Sequence, residues 1–227
     1  EAIYGAYTLG WDSDRSDTDS LSVEAVFLAE LVSRLLPDEP EAKGLAALLD
    51  LCEARQAARV SLDGNLILLE DQDCALWDER KIAAANLQLA EAARSGRPGR
   101  FQLEAAIQSA HCSKLFTGST PWREIVQLYE LLLRDYPSTG ALLGYAVAQV
   151  YGGGSAETGI QILDDYDNEK AISFQAWWAV RGHLFEVSGR PEEALDAYGK
   201  ARELGHSRRL RRSIEKRMED IQQKLSA

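Results

Sequence analysis

Near the C-terminus, Trp178, Gly182, Phe185, Gly189, Ala194, Tyr198 and Ala201 stand at the spacings of a repeating helical hairpin. Gly182 and Ala194 present little or no side chain, so two antiparallel helices can approach closely there. Trp178, Phe185 and Tyr198 fill the space around that contact. Gly189-Arg190-Pro191 supplies the turn, and Pro191 suits the first turn of the following helix. One such unit, residues 175–208, cannot bury its apolar face alone, so the pattern demands neighbours of the same kind.

The spacing is that of the tetratricopeptide pattern of about 34 residues, with Arg181 where a small apolar residue is usual and His206 in place of the closing proline. Partial copies lie upstream. Ile125, Tyr129, Leu132 and Pro137 reproduce a second-helix half, with Thr120-Pro121 as its expected cap and first residue. Ala25, Ala29, Val32 and Pro37 share the same offsets, and Ala141 to Val150, Gly152-Gly153-Gly154 and Ile160 to Leu163 form a further pair. Asp38-Glu-Pro-Glu reads as a capping box ahead of Ala42 to Glu53. Leu210, Ile214, Met218, Ile221 and Leu225 form one stripe of an amphipathic helix over 207–226, with Arg208, Arg209, Arg211 and Arg212 among its basic flanks. The expected fold is all-α, a tetratricopeptide-like helical-hairpin array forming one domain over 1–227, closed by that capping helix.

One stretch breaks the rhythm. Asp63-Gly64 stands between Val60, Leu62, Leu66 and Leu68, which predicts a small β-hairpin insertion at about 59–69. The carboxylate-dense run Leu69-Glu-Asp-Gln-Asp-Cys-Ala-Leu-Trp-Asp78 follows directly.

Charge narrows the function classes. With 36 acidic and 25 basic side chains the formal charge is −11, which argues against a general nucleic-acid clamp. No apolar run reaches the ~18 residues of a membrane span. Three cysteines, Cys52, Cys74 and Cys112, make no even framework and no Cys-x-x-Cys, so a reducing, cytoplasmic setting is expected. The chain has one methionine, Met218, and opens on the apolar set Ile3, Tyr4, Tyr7, Leu9 and Trp11, which reads as a piece of a longer protein.

Arg55-x3-Arg59, Asp63-Gly64, Leu69-Glu-Asp-Gln-Asp73 with Trp77-Asp78, Phe101-Gln-Leu-Glu-Ala-Ala-Ile107 with His111, and Trp122-x2-Ile125-x2-Leu128-Tyr129 follow in an order that resembles one family. It is the long C-terminal extension of a group of bacterial extracytoplasmic-function sigma factors of RNA polymerase. Thr8-Leu9, Gly144-Tyr145, Cys52 and Cys74 depart from that pattern. The resemblance implies a non-enzymatic regulatory domain that modulates transcription initiation. Its partners would be its own sigma regions and the polymerase core, and promoter DNA would be held by those regions and not by residues 1–227. The residues show no metal-ligand spacing, no nucleotide-binding glycine pattern and no membrane span, so no cofactor, metal or membrane partner is expected. Arg55, Arg59, Asp73, Trp77, Gln102 and His111 become partner-contact candidates on motif match alone.

The residues themselves leave plainer readings beside these. Asp73 and Asp78 suit helix caps, and Arg55 and Arg59 could neutralise the remaining carboxylates. His111 and Cys112 are adjacent, so on a helix they point about 100° apart and make a poor ligand pair. The basic helix suits a solenoid cap, or a contact with nucleic acid, acidic polymerase surface or the Asp12–Asp19 loop. Two other function classes stay open: a free-standing repeat adaptor that binds a peptide, and a helical hydrolase using Asp71 and Asp73, which would need a deep pocket around a raised carboxylate.

Overall fold

A computed structural model describes residues 1–11, 21–166, 171–205 and 208–226. The Asp12–Asp19 loop and His206 lie outside the described residues. Among those described, secondary structure is helical throughout, with no strand. Where the sequence suggested one continuous array, the chain divides into two compact units, residues 1–63 with 67–121, and residues 64–66 with 122–227.

The first unit holds α1 (Ala2–Trp11), α2 (Leu21–Leu35), α3 (Pro40–Glu53), α4 (Glu79–Ala93), α5 (Arg100–Cys112) and the single turn α6 (Lys114–Thr117). Its axis is α3, in which every residue from Gly44 to Asp50 is buried, as is Leu51. A helix apolar on all sides belongs in the interior, and α2, α4 and α5 pack around it. Each of Leu45, Leu48, Leu49 and Leu51 contributes about 1.5–3 kcal/mol by leaving water. The cap of α3 is Glu39, whose carboxylate accepts from the Glu41 N–H at 3.3 Å, and not the expected Asp38. Pro40 at the first helical position holds the residue before it extended, which puts Glu39 in the capping conformation.

Between α3 and α4 the chain makes three short 3-10 turns, Gln56–Ala58, Leu69–Asp71 and Cys74–Leu76. The expected hairpin is reduced to a turn at Gly64 (φ +79°) and one backbone bond of the first unit, Ile67 N–H to Arg59 C=O at 2.8 Å. Leu62 is fully exposed, so there is no apolar face for a strand pair to bury, and an isolated two-stranded ribbon is marginal in water.

The second unit contains α7 (Trp122–Asp135), α8 (Thr139–Tyr151), α9 (Ala156–Asp164), α10 (Gln175–Val187), α11 (Pro191–Glu203) and α12 (Arg208–Ser226). Ser138 and Ser155 cap α8 and α9 through the N–H groups of Ala141 and Thr158. Thr120, expected as the cap of α7, instead gives its hydroxyl to the Glu70 carboxylate at 3.1 Å, and α7 starts at Trp122. Two tyrosines are received by two glycines. A Cβ at Gly182 would lie 2.5 Å from the Tyr198 ring, and one at Gly144 would lie 2.3 Å from the Tyr129 hydroxyl. Both helix contacts therefore need a residue without a side chain. Gly144, one of the departures from the family pattern, is the space that Tyr129 occupies. Ile214 and Ile221 of α12 are buried against this core, Leu210 and Met218 are half-buried, and Leu225 at the end of the stripe is exposed.

Candidate functional site

Three of the six motif residues, Arg55, Trp77 and His111, meet in the first unit, and a fourth, Arg59, lies beside the neighbouring Cys112. Arg55 follows α3 and Arg59 follows the first 3-10 turn, so both emerge where α3 ends; Trp77 closes the third such turn, and His111 lies in the last turn of α5. Arg55 is 3% exposed. Its Nε donates to the Leu51 carbonyl at 3.3 Å, a second guanidinium nitrogen donates to Gln108 Oε1, and the group lies 6.0 Å from the Trp77 ring centroid. No carboxylate pairs with Arg55 among the described residues, which corrects the expectation that it neutralises the acidic run. A π face and two neutral oxygens hold it instead, the kind of polar yet uncharged setting a buried cation requires. Trp77 is itself buried, and its indole N–H has no acceptor among the described residues. In this conformation it packs the core and presents no anchor at the surface.

The same cluster sets the chemistry of its neighbours. Burial, then the Arg55 charge, pushes the His111 imidazole down to about 3, so it is neutral at pH 7. Burial pushes the Cys112 thiol up to about 11. Arg59 lies beside Tyr7 and Cys52, and the Tyr7 hydroxyl donates to Glu53 Oε1 at 2.9 Å. Cys52 and Cys74, two departures from the family pattern, lie near Cys112, and Cys52 lies beside Arg59 as well. No group of three or more His, Cys, Asp or Glu side chains stands as a metal site among the described residues.

Asp73 and Gln102 are placed elsewhere. Asp73 is exposed and caps the third 3-10 turn, accepting from the Ala75 N–H at 2.9 Å; Asp78 caps α4 through the Lys81 N–H at 2.9 Å. Asp71 is exposed as well, so neither Asp71 nor Asp73 lies in the enclosed pocket that a hydrolase would use. Gln102 is buried at the start of α5, where Glu41 reaches across from α3. The Glu41 carboxylate accepts from the N–H groups of Phe101 and Gln102 at 2.9 and 3.1 Å, and from the Gln102 amide at 3.2 Å. A negative group there is well matched to a helix N-terminus.

Two residues of this unit escaped the sequence reading. Asp50 is the buried carboxylate, raised by desolvation against the pull of Lys81 at 3.4 Å. Gln108 is the acceptor for Arg55. Neither belongs to a motif, and only an Asp within an apolar helical run could have signalled the first.

In the second unit, the basic helix is engaged with its own surroundings. Arg211 donates to the Gly205 carbonyl at 3.1 Å, beyond the end of α11, where a cation complements the exposed carbonyls. Arg212 packs beside Gly64. Arg217 and the Tyr198 hydroxyl both donate to Glu186 Oε2, each at 2.9 Å. Arg208 and Arg209 form the start of α12.

Comparison with known proteins places the chain beside proteins without an assigned role. Residues 1–93, spanning α1 to α4, match a family of unknown function (DUF6596). An uncharacterized protein of Rhizobium meliloti (strain 1021) is 37% identical over 178 residues, covering 78% of this chain. The chain spans 42% of that relative's length. No solved structure matches. The chain is thus similar to a family of unknown function across its first unit and to a much longer protein across most of its length.

Proposed function

We propose that this chain is a non-enzymatic, tetratricopeptide-like interaction domain of an extracytoplasmic-function sigma factor, acting in the cytoplasm on transcription initiation. The reading rests on one observation, the ordered motif series from Arg55 to Tyr129, whose members Arg55, Trp77 and His111 come together in a single cluster, with Arg59 beside the neighbouring Cys112. A motif whose members meet in space has a common structural reason, which scattered matches would lack. The hairpin contact at Gly182 and Tyr198 supports the repeat reading, and helical-hairpin arrays serve as binding scaffolds. The fit of the residues to a scaffold role is also direct: Arg55, Trp77 and Gln102 are buried, so they would shape the surface that a partner meets and not touch the partner themselves.

The test is binding of the 227-residue chain to RNA polymerase core and, separately, to the paired sigma regions of an extracytoplasmic-function sigma factor. Saturable binding to either is expected, together with a change in promoter-directed transcription when the chain is added. Absence of binding to both, with transcription unchanged, overturns the proposal and favours a peptide-binding adaptor.

A further inference from the structure

Helix α2 is patterned inside out. All of its buried residues are small, Ser22, Ala25, Ala29 and Ser33, whereas Leu21, Val23, Phe27, Leu28 and Leu35 are exposed, Phe27 at 57% and Leu35 at 69%. A surface helix ordinarily turns its large apolar side chains inward. Scattered apolar residues on a surface need no explanation, but several large ones gathered on one helix side mark a contact.

At 100° per residue, Phe27, Leu31 and Leu35 lie on the side opposite Ala29, and Glu24 and Arg34 lie on that same side. Glu24 and Arg34 are exposed, and neither has an ion-pair partner among the described residues. This distribution of charge is self-complementary. If two α2 helices meet antiparallel about the level midway between residues 24 and 34, Glu24 of each stands level with Arg34 of the other, at both ends of the contact. Phe27 then stands level with Leu31 of the second copy, and Val23 with Leu35. A parallel pairing would set Glu24 against Glu24 and Arg34 against Arg34, which like-charge repulsion opposes.

We propose that the outer face of α2 is a homodimer interface, in which a second copy of this chain packs its own α2 antiparallel across the twofold axis. The contact is isologous, as twofold pairing requires. One helix face falls at the small end of stable interfaces, so association in the micromolar range follows. This inference is independent of the sigma-factor reading.

The test is sedimentation equilibrium of the chain from about 1 to about 200 µM, a span that brackets micromolar association. A concentration-dependent dimer is expected. Phe27→Asp, on the exposed face, should weaken it by roughly 30-fold or more. Glu24→Arg and Arg34→Glu should each weaken it by about tenfold, because each creates a like-charge pair at both ends. The combined Glu24→Arg/Arg34→Glu chain restores both pairs and should recover the dimer, a result that damage to the fold could not give. A single-chain mass at every concentration overturns the proposal and assigns the face to a different partner. So does a dimer indifferent to Phe27→Asp, or failure of the double exchange to restore association.

Discussion

The two units solve the same packing problem with opposite materials. Every buried polar or charged side chain found among the described residues lies in the first unit: Ser22, Ser33, Asp50, Arg55, Gln72, Gln102 and His111. So do all three cysteines. The second unit buries Trp177, Phe185 and Tyr198 among alanines and leucines, and keeps its cations outside, over aromatic faces. Lys200 lies 4.5 Å from the Trp178 centroid, and Arg190 lies 4.7 Å from that of Phe185. Buried polar groups are expensive unless satisfied, and a repeat scaffold has no need of them. The contrast teaches that the second unit is organised by shape, while the first is organised around specific polar contacts. The family match over residues 1–93 falls on the polar unit.

This contrast can be broken by experiment. The largest expected effect is at the aromatic centre of the second unit. Tyr198→Ala removes a buried ring and should lower stability by about 3–5 kcal/mol in urea denaturation followed by circular dichroism. A loss below 1 kcal/mol would mean that shape does not organise this core.

The polar core makes a prediction of a different kind, in pH. His111 is held well below its ordinary value, so between pH 6.5 and about 3 the unfolded chain takes up a proton that the folded chain refuses. Its contribution is therefore fully present above pH 6.5 and is lost as pH falls, at about 1.4 kcal/mol per pH unit. Between pH 7.5 and 5 the wild type should lose roughly 2 kcal/mol more than His111→Gln. Parallel pH profiles for the two proteins would remove His111 from the polar core's titration.

Smaller changes sharpen the comparison. Gly182→Ala places a methyl group against a ring that cannot withdraw, and should cost about 1–3 kcal/mol, read as a shift in the urea midpoint. Tyr198→Phe keeps the ring but removes one of the two donors to Glu186, for about 1 kcal/mol in the same assay. At the exposed edge of the first unit, Asp73→Ala loses a single cap bond and should cost no more than about 1 kcal/mol. A larger loss there would show that the acidic run carries structure beyond its caps.

Much of the second unit was legible in advance because its signals are local. Gly182, Phe185, Gly189, Pro191 and Tyr198 each meet a requirement set within about twenty residues, and α10 and α11 form where those residues predict. The stripe on α12 is likewise a property of one helix. The failures have local causes too. Asp63-Gly64 encodes a turn whether or not strands follow, and strands need a face to bury, which Leu62 does not find.

The polar core of the first unit was legible only as a set of residues and not as an arrangement. The motif named Arg55, Arg59, Trp77 and His111, yet their spacing along the chain says nothing about Gln108, or about Glu41 reaching from α3 to the start of α5. Those partners are separated by 53 and 60 positions, and pairing at such distances is decided by how helices pack. The same holds for α2. Its residues look like an ordinary amphipathic helix in sequence, because periodicity reports that a helix has an apolar side but not which side its neighbours will cover. By itself the sequence determined that this chain is helical, where its hairpin turns fall, and which residues form its motif. Only the tertiary structure decided that there are two cores, that the arginine beside Trp77 is held by a ring face and two neutral oxygens, and that α2 turns its small residues inward. Helix propensity and turns are set by neighbours in the chain, whereas burial is set by neighbours in space.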